Sequence, residues 1–136
     1  MVVEQSIFKS TKLMLGIAPD DDSFDAEVTG YINAALSDLV ELGAGPPNGL
    51  FVTGDGELWA ALNESPSLTE RIKNWVYLKV RLFWDPPQTS FLLDAHQRQI
   101  DEATWRIVNG KDGDRYLANN PQYIDPDDTL ILDGSP

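Results

Sequence analysis

A chain of 136 residues is long enough for one domain with a modest core and hardly long enough for two. It has no cysteine, which excludes a disulfide scaffold, thiolate metal sites and a cysteine nucleophile, and no apolar run approaches the ~20 residues that cross a bilayer. A net charge of −12 repels phosphate at long range and argues against direct nucleic-acid binding.

From the N-terminus, the pattern predicts a short helix over residues 6–15, with Gly16 in the usual place for a C-terminal cap. Lys9 and Lys12 precede Leu13-Met14-Leu15, an apolar run too short for a signal-peptide core, so a cytosolic site of synthesis is expected. Asp20-Asp21-Asp22-Ser23 reads as a run of N-cap residues. After it, Phe24, Val28, Tyr31, Ile32, Ala35, Leu36, Leu39 and Leu42 recur on one helical face, with Asn33, Ser37 and Glu41 opposite. The cluster Gly43-Ala44-Gly45-Pro46-Pro47 ends that helix. Residues 50–53 read as a short extended piece, and residues 57–63 as one or two helical turns. Ser67 with Glu70 forms a capping box that opens the most apolar helix, which runs to Trp84 and carries Leu68, Ile72, Trp75, Val76, Val80 and Phe83 on one face. Asp85-Pro86-Pro87 stops it. Thr89 or Ser90 caps the last helix, which ends near Asn109-Gly110 and has a seam of Leu93, His96, Ile100, Ala103 and Ile107. Prolines and aspartates then suggest an extended tail. The fold class is all-α: a small bundle of one short and three longer helices over residues 1–109, with an extended acidic arm over 110–136.

No catalytic constellation emerges. The single histidine, His96, lies within an apolar seam, where a satisfied core or interface histidine is expected. The aspartate clusters at 20–22, 112–114 and 125–128 do not fit a calcium-binding helix–loop–helix pattern, and no cofactor or metal is expected. Two residues sit against their surroundings. Lys79 lies on the apolar face near Trp75 and must either snorkel or pair with an acid, within the subunit or across an interface. Trp105 projects from a charged face, near Phe91, as a patch suited to a partner, unless the same chain covers it. The charge is also uneven: −9 over residues 1–67, +1 over 68–109 and −4 over 110–136. A base-containing middle is suited to meeting the acidic flank of another copy.

The block Tyr77-Leu78-Lys79-Val80-Arg81-Leu82-Phe83, followed by Asp85-Pro86-Pro87, Ser90-Phe91 and Glu102-Ala103-Thr104-Trp105-Arg106, resembles the head–tail connector proteins of tailed bacteriophages. Ser10-Thr11-Lys12, Leu15-Gly16-Ile17, Ile32-Asn33 and Leu42-Gly43-Ala44-Gly45-Pro46 are similar as well. The resemblance implies a non-enzymatic virion protein of the neck, between portal and tail. Its expected partners are the portal, the next neck or tail protein and further copies of itself, in a dodecamer-like ring through which DNA passes without specific binding. Phe91, Trp105 and Lys79 are then candidate subunit-interface residues. In the tail, Tyr116, Leu117, Tyr123, Ile124, Leu130, Ile131 and Leu132 are candidates for a portal-docking arm. An acidic DNA mimic and a small regulatory binding module are the alternative readings.

Overall fold

The computed structural model describes residues 5–119, with side chains through residue 111. Four helices follow in order: α1 (Ile7–Met14), α2 (Asp25–Glu41), α3 (Pro66–Trp84) and α4 (Ser90–Asn119), with a 3-10 turn at Trp59–Leu62 between α2 and α3. Among the described residues there is no strand, and one isolated antiparallel bridge joins Ser6 to Leu58. The protein is an all-α bundle.

Each helix starts and stops for a local reason. Ser6 caps α1 by accepting from the Lys9 N–H. At its other end Gly16 takes a φ of 81°, so that the Gly16 and Ile17 N–H groups close back onto Leu13 and Lys12 carbonyls. The same closure ends α2, with Gly43 at 81° and the N–H groups of Gly43 and Ala44 returning to Val40 and Leu39. Ile17 and Ala44, the residues after each glycine, are buried and anchor both exits. The cap of α3 lies two residues before the Ser67 predicted from its capping-box pattern. Ser65 accepts from the Leu68 N–H, and Pro66 occupies the first turn, where its missing donor costs nothing. Thr89 caps α4 through the Leu92 N–H.

α3 is the central helix, packing most extensively on α4 and then on α2, with α1 against α2 and α3. Val28, Ile32, Ala35, Leu36 and Leu39 of α2 meet Leu68, Ile72, Trp75, Val76 and Val80 of α3 and Ile100, Ala103 and Ile107 of α4 in one core. The seam of α4 is buried as its spacing predicts, except at Leu93, which is exposed.

Several expectations are corrected. Asp20, Asp21 and Asp22 do not cap α2. Phe24 holds that position without a side-chain bond, while Asp21 accepts from the Ser23 N–H to form its own turn. Phe83 is exposed, because the direction of α3 brings it level with Tyr31, on which it stacks at 5.8 Å. Asn33 is no solvent-facing residue: its amide donates to the Val52 carbonyl and accepts from the Val52 N–H, at 3.0 and 2.7 Å. Val52, in the short extended piece expected at 50–53, therefore has both backbone groups held by a side chain instead of a ladder. Finally, α4 does not stop at Asn109-Gly110 but continues to Asn119. Gly110 approaches Leu68 closely and Lys111 pairs with Glu64, so packing carries the helix through its glycine.

Candidate interaction surface

The polar groups inside the bundle are satisfied and structural. His96 Nε2 bonds the Leu78 carbonyl at 2.8 Å, tying α4 to α3. One turn further on, the Trp75 indole N–H donates to Thr104 Oγ1 at 3.0 Å, and that hydroxyl donates to the Ile100 carbonyl. The Trp59 indole donates to Ser10 Oγ at 2.9 Å, and Ser10 donates to the Ser6 carbonyl, pinning the 3-10 turn to α1. The histidine therefore has the role its seam position predicts.

A cavity of about 420 Å³ lies beside α1 and is lined by Phe8, Lys9, Lys12, Leu13 and Asp55 among others. Both of its lysines are engaged. Lys9 pairs with Asp55 at 3.3 Å, and buried Lys12 donates to Asp25 at 2.9 Å and to the Asp21 carbonyl at 2.7 Å. Among the described residues no cluster of histidine, cysteine or carboxylate side chains could hold a metal ion. The arrangement is suited to holding surfaces in place.

Of the predicted interface residues, Phe91 is 73% exposed and Trp105 is 64% exposed. Both lie on the side of α4 turned away from α3, but fourteen residues of helix separate them by about 21 Å. They are two separate exposed aromatic groups and not one patch. Lys79 does both things open to it: its ammonium meets Asp38 of α2 at 3.0 Å and lies 5.4 Å from the centroid of the Trp75 ring. Leu92 and Phe83 add exposed apolar area where α3 turns into α4, near the edge-to-face pair Phe24–Trp84. Tyr116 and Leu117 fall on the last turns of α4, whereas Tyr123, Ile124, Leu130, Ile131 and Leu132 lie outside the described residues.

Three residues that hold the bundle together escaped sequence reasoning: Lys12, Glu64 and Lys111. Glu64, only 7% exposed at its side chain, accepts from the Gly45 N–H at 2.8 Å and from Lys111 at 3.0 Å, joining the loop after α2 to α4. The one available signal was for Lys12, which shares a face of α1 with Phe8 just before the acidic run.

Comparison with known proteins agrees with this geometry. No curated protein and no solved structure gives a significant match. Residues 7–114 match the family described as phage connector protein, a span that begins at the first residue of α1 and ends within α4. That span takes in α1, α2, α3, most of α4 and the Tyr77–Phe91 block, and so the chain belongs to the phage connector protein family.

Proposed function

We propose that this connector assembles as a ring beneath the portal of a tailed-phage head, extends the DNA channel and offers a platform to the next neck or tail protein. The observation that carries the reading is the match to the connector family over residues 7–114, since connectors are structural parts of the virion neck. Two features of the molecule support it. Phe91 and Trp105 are large exposed aromatic groups of the kind that anchor protein interfaces. The excess of acid, −12 over the chain, lets DNA pass a lumen without adhering to it. The partners are the portal, the following neck protein and further copies in a dodecamer-like arrangement, with assembly in the host cytoplasm. The acidic arm reaches toward the portal, with Tyr123, Ile124 and Leu130-Ile131-Leu132 as its contacts. Mixing the full chain with purified portal and measuring the mass of the complex tests the proposal. A portal ring carrying a matching ring of connector subunits is expected. A chain that neither binds portals nor occurs in isolated necks overturns it.

A further inference from the structure

Among the described residues all five lysines have a carboxylate within 2.9–3.3 Å, and Arg106 pairs with Glu102. On α4, Arg98 meets no described carboxylate; on α3, neither do Arg71, whose guanidinium donates to the Arg106 carbonyl at 3.5 Å, and Arg81. Arg71 and Arg81 line a groove between α3 and α4, whose two hollows of about 320 and 400 Å³ share Gln99. The groove borders a strip of α3 that no other helix covers, where Glu70 and Asn74 are exposed. On the other flank of the strip, Leu13 and Met14 stand half exposed around a third hollow of about 300 Å³.

The position of this strip follows from helical phase. At 100° per residue, Asn74 and Arg81 lie about 160° around α3 from Lys79 and Phe83. Lys79 and Phe83 face α2, through Asp38 and Tyr31. The strip and the outer face of α2 are therefore on opposite sides of the subunit. They are also electrostatic opposites. α3 carries Arg71, Lys73, Lys79 and Arg81 against a single acid, Glu70, whereas α2 carries Asp25, Glu27, Asp38 and Glu41 and no base. Glu27 and Glu41 are exposed, Glu41 on the outer face and Glu27 on its flank, about 20° around α2 from Asp38, and Glu41 adjoins Val40, which with Phe51 forms an exposed apolar pair over Gly49.

We infer that, in the ring proposed above, the outer face of α2 of one copy docks on the α3 strip of the next. Two different faces on opposite sides make a heterologous contact, the type that closes into rings. If neighbouring copies keep their helices roughly parallel, the antiparallel packing of α2 on α3 sets Glu41 toward Arg71 and Glu27 toward Arg81. The two acids are about 21 Å apart along α2 and the two arginines about 15 Å apart along α3, a mismatch that two long side chains span. Guanidinium groups suit the role, because their fork matches a carboxylate in two hydrogen bonds. Val40 and Phe51 then approach the apolar rim of Leu13 and Met14.

The native chain has no cysteine, so an engineered pair reports on this contact alone. With Ser37→Cys on α2 and Asn74→Cys on α3 in one chain, oxidation of the assembled protein should give a ladder of dimers and higher multimers. Either cysteine alone should give none beyond dimer. In parallel, Arg71→Glu with Arg81→Glu should weaken association about a hundredfold. A mixture of that variant with one carrying Glu27→Arg and Glu41→Arg should restore it, which a misfolded variant could not do. Assemblies of proven multiple copy number that give no ladder, together with no rescue on mixing, overturn the face assignment and leave the ring intact. A chain that stays monomeric both alone and on the portal overturns the ring and this contact with it.

Discussion

The ammonium of Lys79 and the carboxylate of Asp38 are 25% and 49% exposed, so each remains solvated if the other is removed. Lys79→Met should therefore change the unfolding free energy by less than about 1 kcal/mol in urea titrations. Lys111→Met is the contrasting case. It leaves Glu64, 7% exposed, buried with the Gly45 N–H but without its cation, and should cost about 3 kcal/mol in the same experiment. Two other carboxylates respond to pH. Hydrogen bonds from Ser23 hold Asp21 below its ordinary 3.8, and hydrogen bonds from Thr53 hold Glu57 below its ordinary 4.5. A depressed folded pKa means that the folded chain takes up the proton less readily than the unfolded chain. The stability these groups contribute is thus complete above the ordinary values and fades as pH falls through the depressed ones. Amide exchange at Ser23 and Thr53 should quicken, relative to the core, as pH drops below about 4, and Glu57→Gln should abolish that acid step at Thr53.

Among the elements, α2 contains a glycine that local structure does not need. Gly30 sits mid-helix, and a Cβ there would meet nothing within 4 Å. Gly30→Ala should stabilise the subunit by about 1 kcal/mol, read as a rise of several degrees in melting temperature. The same change at Gly110 gains less, because its Cβ would stand 3.3 Å from the Leu68 side chain. The end of α4 lies beyond the reach of local signals. Asn-Gly is a local stop signal, but helix α4 is extended by packing on α3 and by the Lys111–Glu64 pair, which are contacts between distant segments. The N-terminal ends divide in the same way. Ser65 and Thr89 cap through their own hydroxyls, Thr89 as its sequence position suggests and Ser65 two residues before the capping box that starts at Ser67. α2 starts without a side-chain cap, and its first turn is held instead by Lys12 reaching across from α1 to Asp25.

For the whole molecule, the placement of charge matters more than its sum. The acids gather on α2 and the loop before it, and Arg71 and Arg81, which meet no described carboxylate, lie along α3. Truncations separate the bundle from the proposed arm. Removing residues 120–136 should leave the melting temperature nearly unchanged while reducing attachment to the portal. Removing residues 110–136 also takes away Lys111, and should lower the melting temperature in step with the Lys111→Met variant. Equal melting of the two truncations would show that the Lys111–Glu64 pair contributes nothing to the fold.

What this sequence determined by itself is whatever depends on near neighbours: four helices, most of their ends, the buried stripes of α2 and α3, and the structural part played by His96. Helical periodicity and caps act over a few residues, and the family block from Tyr77 to Phe91 is likewise a continuous run. Tertiary structure decided the rest, because it set the phase of one helix against another. Only the crossing of α2 on α3 exposes Phe83, gives Lys79 its acid and turns Arg71 and Arg81 away from the carboxylates of α2. Only the loop before α3 brings Glu64 to Lys111, forty-seven residues away. Such pairings cost nothing detectable in local pattern, since a charged residue looks the same in sequence whether its partner lies beside it or across the bundle.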